Sequence, residues 1–297
     1  MAIRQEGISI IIPARNEALA LPHCLGQVRA TLPLVELIVV DDGSADATPA
    51  IAAEFGARVI SHPYPKGNGA AVKTGARAAT GDILVFMDAD GQHRPEDIPK
   101  LLAKLDEGFD MVVGARGMKD HAGAHRGFAN TVFNRLASWM VNHRVEDLTS
   151  GFRAVRAERF RRFLYLLPNS FSYPTTCTMC FFRAGFGVAY VPVSMPPRIG
   201  RSHIRPFHDG VRFLIIIIKI GTLYAPLKLF LPVAGTFFAT GVAYYLYTYL
   251  TSHRLTNMSV LLFITSVLVF LIGIVSEQIS ALQYKESDSA DPRDAAN

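Results

Sequence analysis

The stretch Ile83-Leu84-Val85-Phe86-Met87-Asp88-Ala89-Asp90-Gly91-Gln92 decides how the rest of the chain is read. Five apolar residues in a row fit a strand buried on both faces, the pattern of a parallel sheet. Gly81-Asp82 opens the run, and two carboxylates close it. In open α/β sheets, ligands sit beyond the carboxyl ends of the strands. Asp88, Asp90 and the Gln92 amide offer hard oxygens suited to Mg²⁺ or Mn²⁺, and a cation so held usually also grips a substrate phosphate. Which aspartate touches the ion directly is left open. Read alone, the motif could equally be an acidic turn that caps the next helix.

Working outward, Ile8–Ile12 is a first strand ended by Pro13, and Ala14-Arg15-Asn16-Glu17 leads into a helix at 17–31. Val35–Val40 is a second strand, closed by Asp41-Asp42-Gly43-Ser44. A helix follows at 46–56, then a short strand Ala57–Ser61 and a helix at 70–79. Beyond the acidic motif, Pro95-Glu96-Asp97 opens a helix to 107, with proline and acids in its first turn as the helix dipole favours. Asp110–Gly114 is another strand, leading to Ala115-Arg116. Strand and helix alternate with short connections, which predicts an α/β fold with helices on both faces of a parallel sheet. Pro13, Arg15 and Glu17, Asp41 and Asp42, Asp88 to Gln92, and Arg116 all follow strand ends and should meet on one edge. Lys66-Gly67-Asn68-Gly69 follows a proline-containing loop and is therefore not a dinucleotide fingerprint. It reads either as a glycine-rich helix start near a phosphate or as a plain helix entry.

The chain has 297 residues, room for one large domain or two small ones, and a net charge of +5. This moderate basicity suits anionic substrates or an anionic membrane surface. No basic helix is interleaved with aromatics, which argues against nucleic acid. The first seven residues lead straight into a strand without a signal peptide, so the bulk of the chain is expected in the cytoplasm. Of the three cysteines, Cys177 and Cys180 form a CxxC with no second pair and no nearby histidine; two small buried residues on one helix face is the better reading.

Five motifs in order, Ile10-Ile11-Ile12-Pro13-Ala14-Arg15-Asn16-Glu17, Val39-Val40-Asp41-Asp42-Gly43-Ser44, Gly81-Asp82, Asp88-Ala89-Asp90-Gly91-Gln92-His93 and Asp147-Leu148-Thr149-Ser150-Gly151-Phe152-Arg153, resemble glycosyltransferase family two. The likeness is to dolichyl-phosphate mannose synthases and bacterial polyprenyl-phosphate sugar transferases, and it covers residues 8–225 and the hydropathy outline of the tail. It implies a GT-A type, Rossmann-like, mostly parallel sheet, a nucleotide-sugar donor, and Mg²⁺ or Mn²⁺. By position, Pro13, Arg15, Glu17, Val40 and Asp42 should surround the nucleoside, with Lys66 also on the donor side. Asp88, Ala89, Asp90 and Gln92 should hold the diphosphate, and Asp88, Asp90 and Gln92 the metal. Arg116 and Arg126 match basic positions that face phosphates, and Asp147 an acid at the floor of the active site.

Such an enzyme inverts the anomeric carbon by in-line attack. A sugar hydroxyl as acceptor needs a general base, whereas a lipid phosphate is already anionic and depends more on cations that position two anions. Arg116, Arg126, Arg198, Arg201, His203 and Arg205 suit that task, since arginine forks match phosphate geometry. Thr149 to Arg153 reads as a loop and short strand on the acceptor side, with Ser150 among its contacts.

The chain turns strongly apolar beyond about residue 210. Val211–Leu223, carrying Arg212 and Lys219, reads as a helix lying in the headgroups with its cations snorkelling. Leu229–Leu250 is a run of 22 uncharged residues and Met258–Ser276 one of 19, separated by a short polar loop. Each is long enough to cross a bilayer core of about 30 Å. The expected organisation is a cytoplasmic catalytic domain at 1–205, an interfacial helix at 206–225, a transmembrane hairpin at 226–282 and a disordered polar tail at 283–297. The basic excess ahead of the first span puts both ends on the cytoplasmic side of the inner (plasma) membrane. The expected function is transfer of a hexose from a UDP- or GDP-linked sugar to polyprenyl phosphate. The expected partners are the donor, the lipid acceptor and the bilayer, and the spans offer a surface through which copies could associate. A glycan or diacylglycerol acceptor, and a non-catalytic scaffold that binds nucleotide sugar, are the alternatives. Intact Asp88, Asp90, Gln92 and Asp147 argue against the scaffold.

Overall fold

A computed structural model describes residues 6–116, 124–170, 172–194 and 221–288. The chain divides into two units at Ile204/Arg205. The first is built on seven strands: β1 (Ile8–Ala14), β2 (Glu36–Asp41), β3 (Arg58–Ser61), β4 (Ile83–Phe86), β5 (Met111–Arg116), β6 (Arg153–Arg156) and β7 (Val188–Val193). Their order is β3-β2-β1-β4-β6-β5-β7. β6 alone runs against its neighbours, antiparallel to both β4 and β5, while the other pairings are parallel.

The sheet's central strands are the apolar runs of the sequence. Every residue of β1 is buried, as a strand covered on both faces requires. One face packs Ile10, Ile12, Leu37, Val39 and Val85 against Leu21, Leu25 and Val28 of α1 (Leu21–Thr31) and Leu101 and Leu105 of α4 (Ile98–Asp106). The other carries α3 (Asn68–Ala78), which lies so close that a Cβ on Gly75 would fall 2.4 Å from Ile11 Cγ2. Between α1 and α3 in the chain comes α2 (Thr48–Glu54). After β5 come α5 (Ala124–Val141), α6 (Ala157–Arg161) and α7 (Tyr173–Arg183). Cys177 and Cys180 lie on α7, buried as expected, and Cys24 is buried on α1; all three are free thiols.

Several expected bounds shift. Pro13 does not end β1, which pairs on through Ala14 opposite Asp41. α1 starts at Leu21 instead of 17, because the backbone of residues 16–18 bonds across to Ser44, Thr48 and Asp46. The helix expected at 95–107 begins as a 3₁₀ turn over Pro95–Asp97 before α4.

In the second unit, α8 (Pro226–Ser252) and α9 (Asn257–Asp288) form an antiparallel pair, each with a segment long and apolar enough to cross a membrane. Small residues let them approach: a Cβ on Gly241 would meet Phe263 and Leu262, and one on Gly273 would sit 2.9 Å from Phe230 Cβ. Ser266 Oγ donates to the Ala234 carbonyl across the pair at 2.9 Å. Glu277 accepts the Leu227 N–H at 3.3 Å, which places a carboxylate at the positive end of α8. α9 keeps its helical backbone to Asp288, so the expected tail boundary at 283 is too early. Gln283, Lys285 and Glu286 are good helix formers and extend the preceding helix. Arg198, Arg201, His203, Arg205 and most of the expected interfacial helix lie outside the described residues.

Candidate active site

The strand order reverses between β1 and β4, so the loops leaving these two strands diverge and open a crevice at the carboxyl edge. The ends of β1, β2, β4 and β5 reach this edge. Because β6 runs the other way, its beginning reaches it too, bringing the loop 147–152 to the same place.

One wall is two loops laced together. Asn16, in the left-handed region at φ 54°, donates its N–H to Ser44 Oγ at 2.9 Å and accepts the Ala45 N–H on Oδ1 at 2.8 Å. Glu17 N–H donates to Thr48 Oγ1 at 3.0 Å. Pro13 and Val40 are buried here, and Arg15 stands exposed at the rim. Asp42 is buried and builds the next loop. Its carboxylate accepts the Lys66 N–H at 2.7 Å, the Gly67 N–H at 2.8 Å and His62 Nδ1–H at 2.8 Å. His62 Nε2 in turn accepts the Thr74 hydroxyl of α3 at 2.9 Å. Burial pushes the Asp42 carboxyl up, but the hydrogen bonds from His62, Lys66 and Gly67 outweigh it and hold the pKa below the usual carboxylate range. Lys66 itself is exposed, its Nζ 5.6 Å over the Tyr64 ring. The Lys66 to Gly69 stretch is thus a helix entry organised by Asp42.

The acidic motif leaves β4 in a tight turn, with Gly91 at φ 76° and the Gln92 N–H on Asp90 Oδ1 at 3.1 Å. Asp90 is nearly buried, whereas the Asp88 side chain is 37% exposed. Cys24 of α1 lies within the field of this acidic group: burial pushes its thiol up to about 12, and Asp90, Asp88 and Glu17 add to the shift. A Cβ on Gly151 would sit 3.2 Å from Asp88 Oδ2, so the glycine lets the 147–152 loop pass close to the carboxylate without pushing it aside.

Asp147, 1% exposed, is the most heavily hydrogen-bonded group in the crevice. It takes the Arg116 guanidinium in a two-pronged grip, Nε to Oδ2 at 2.8 Å and Nη2 to Oδ1 at 3.1 Å. It also accepts the N–H groups of Arg116, Thr149 and Ser150 and the Thr149 hydroxyl. Burial pushes its carboxyl up, yet the Arg116 pairing and the backbone bonds hold it well below the usual carboxylate range. Ser150 is buried, with its Oγ taken by the Phe152 N–H, so it does not present itself at the surface. Arg126 lies on α5, and its side chain is outside the described residues.

Sequence reading gave no structural role to Arg153 or to His62. Arg153, fully buried, ties the Ser150 carbonyl to the Pro174 carbonyl and Thr178 of α7. His93, which sequence reading placed only beside the metal motif, and His62 each bond an acidic motif. Arg153 and His93 were visible as motif members; His62 gave no signal.

Residues 9–184 match the family model for glycosyl transferase family 2, and residues 225–282 match that of the GtrB C-terminal hairpin. The chain belongs to glycosyltransferase family 2. Among its relatives in the family, an uncharacterized glycosyltransferase of Mycobacterium tuberculosis is 34% identical over 197 residues, covering 66% of this chain and 88% of the relative. The dolichyl-phosphate hexose transferase of Haloferax volcanii is 31% identical over 219 residues, covering 72% and 94%. The polyprenol monophosphomannose synthase of Mycolicibacterium smegmatis is 30% identical over 204 residues, covering 64% and 77%. Among solved structures, glucosyl-3-phosphoglycerate synthase from Mycobacterium tuberculosis in complex with Mn²⁺, UDP and phosphoglyceric acid superposes with a TM-score of 0.59 at 26% identity, covering 72% of this chain and 77% of that one. The GT-A type reading of the sheet therefore holds.

The donor set of this family 2 chain fits a divalent cation of the Mg²⁺ or Mn²⁺ kind. Asp88, Asp90 and the Gln92 amide supply only hard oxygens. Among the described residues no group of three or more His, Cys, Asp or Glu could hold an ion alone. The remaining positions would then fall to diphosphate oxygens and water, which suits an ion that binds with its substrate.

Proposed function

We propose that this chain is a membrane-anchored, metal-dependent, inverting hexosyltransferase that moves a sugar from a UDP- or GDP-linked donor to polyprenyl phosphate at the cytoplasmic face of the inner (plasma) membrane. The observation that carries the reading is the state of Asp147. A general base needs an available lone pair and a pKa near the working pH. Asp147 has neither, being gripped by Arg116 and held well below the usual carboxylate range. A hydroxyl acceptor would need such a base there, whereas a phosphate acceptor is already anionic. The matched hairpin and the names of the Haloferax and Mycolicibacterium relatives support a lipid-phosphate acceptor over a glycan or diacylglycerol.

In this reading Pro13, Arg15, Glu17, Val40 and Asp42 form the nucleoside wall, Asp42 by holding the 62–67 loop in place, with Lys66 at its rim. Asp88, Asp90 and Gln92 would hold the cation, which when bound neutralises charge on the departing diphosphate. Arg116 is kept charged and oriented by Asp147 and, with Arg126, draws the acceptor phosphate toward the donor. An acceptor phosphate oxygen bonds the anomeric carbon from the face opposite the diphosphate. The carbon–oxygen bond to the diphosphate breaks, its electron pair leaves with the nucleoside diphosphate, and no proton moves. Ser150 shapes this side through its backbone and buried hydroxyl. Arg198, Arg201, His203 and Arg205 supply further cations for the acceptor, residues 1–205 form the catalytic domain, 206–225 the interfacial helix and 226–282 the anchor.

The test offers the full-length protein in lipid each labelled donor in turn, with undecaprenyl phosphate and Mg²⁺ or Mn²⁺, and extracts the lipid product. Label in an acid-labile lipid monophosphate sugar is the expected outcome. Label transferred only to diacylglycerol or to a glycan overturns the acceptor.

A further inference from the structure

We propose that His93 is a positioning residue for Asp88, holding its backbone and carboxylate, through one fixed imidazole tautomer, in the place a divalent cation requires. The proposal rests on the reading of Asp88 as a metal ligand. His93 is 5% exposed, and both of its ring nitrogens face the same residue. Nδ1 accepts the Asp88 N–H at 2.8 Å, so Nδ1 carries no proton and the ring proton sits on Nε2. Nε2 faces Asp88 Oδ2 across 3.8 Å. That span is too long for a hydrogen bond, so the N–H dipole orients the carboxylate without occupying its lone pair. The ring cannot turn away, because it stacks on Phe152 with centroids 5.0 Å apart and planes 16° apart. The Phe152 ring is itself fully buried and lies close against Gly114, where a Cβ would come within 2.7 Å of its Cδ1. A histidine kept only to fill space would need neither nitrogen directed at an acid, and an apolar ring would stack on Phe152 as well. Groups that orient a ligand from behind typically change metal affinity by about 10–100-fold when removed.

The experiment measures Mn²⁺ affinity of the full-length protein in detergent, from the paramagnetic resonance signal of free Mn²⁺, with UDP and separately with GDP. His93→Asn places an amide oxygen near the Nδ1 position and keeps an acceptor for the Asp88 N–H. His93→Gln places its amide near Nε2 and loses that acceptor. His93→Ala and His93→Gln should weaken Mn²⁺ binding about tenfold. His93→Asn should recover most of it, with nucleotide affinity in EDTA and melting temperature alike in the Asn and Gln variants. If the wild type binds no Mn²⁺ with either nucleotide, or Asp88→Ala binds it as well as the wild type, the metal reading of Asp88 fails and the proposal with it. If Asp88→Ala loses Mn²⁺ but the Asn and Gln variants bind it equally, the metal reading stands and the role of His93 is overturned. The Asn against Gln contrast decides the matter even where His93→Ala does not fold.

Discussion

Asp147 and Asp88 sit on the same edge of one sheet, and their surroundings treat them in opposite ways. Asp147 is buried, with its oxygens committed to a guanidinium, three N–H groups and a hydroxyl. Asp88 is 37% exposed, His93 holds its backbone N–H, and among the described residues the paired basic nitrogen, His93 Nε2, stands 3.8 Å from its carboxylate. Asp42 belongs with Asp147, since it organises a loop from within. Carboxylates saturated by the protein build the crevice; in the proposed mechanism the more exposed Asp88 is where a cation would bind. A carboxylate kept open for a ligand holds its position only if saturated neighbours fix the backbone around it.

That contrast can be broken by exchanging the roles. The largest effect is expected in the acidic motif. Asp90→Ala should cut transfer by about a thousandfold, the several kcal/mol that a bound cation contributes to charge stabilisation, with melting unchanged. Undiminished turnover of this variant, or of EDTA-treated wild type, would sink the metal mechanism. Asp147→Asn should instead lower folding stability by about 3 kcal/mol, since Arg116 loses the counter-charge it was built around. Denaturant unfolding of the full chain measures this, and a variant that is inactive but fully stable would make Asp147 a working group after all. Asp42→Ala should cost about 2 kcal/mol by leaving the Lys66 and Gly67 N–H groups without their acceptor. Its donor KM should rise more than its kcat falls if the loop it organises lines the proposed nucleoside wall.

The smallest effect lies in acid. The pKa values of Asp42 and Asp147 are lowered in the folded chain. Each therefore contributes stability that is fully present above the ordinary carboxylate pKa and is lost as pH falls below it, through the depressed folded value. Melting temperature should fall as pH drops below the ordinary carboxylate pKa of about 4, because both folded-state pKa values are lowered. Asp42→Asn should fall less steeply than the wild type there; an equal slope would remove Asp42 from the saturated class.

Much of the first unit could be read from the chain because its central strands are unbroken apolar runs, and Ile8–Ile12 and Ile83–Met87 have no other use for so many buried β-branched and large side chains. β6 was only partly legible: a loop and short strand was expected over Thr149 to Arg153, and the strand runs from Arg153 to Arg156. It is four residues, Arg153-Ala154-Val155-Arg156, with a charge at each end. Only the fully enclosed packing of Arg153, against carbonyls of Ser150 and Pro174, makes a charged residue a strand member. α1 was placed four residues early for a similar reason: 17–20 have helical composition, but the Glu17 and Ala18 N–H groups bond to Thr48 and Asp46, at and just before the start of α2. The free thiols of α7 were read correctly, since an isolated CxxC without further ligands has only packing to do.

By itself, the sequence determined which groups are present and in what order along the chain: apolar runs ending in polar motifs, two carboxylates one residue apart, and two uncharged stretches at the end. Those follow from local periodicity and residue chemistry, which are carried within a few residues. The tertiary structure alone decided which of the acids are occupied. Asp147 meets Arg116 across 31 residues of chain, and Asp42 meets Lys66 across 24. Hydrogen bonds between residues so distant in sequence form only where strand order brings their loops together. Among the described residues, the basic side-chain nitrogen that pairs with Asp88 is His93 Nε2 at 3.8 Å, which leaves this carboxylate more exposed than the saturated ones beside it.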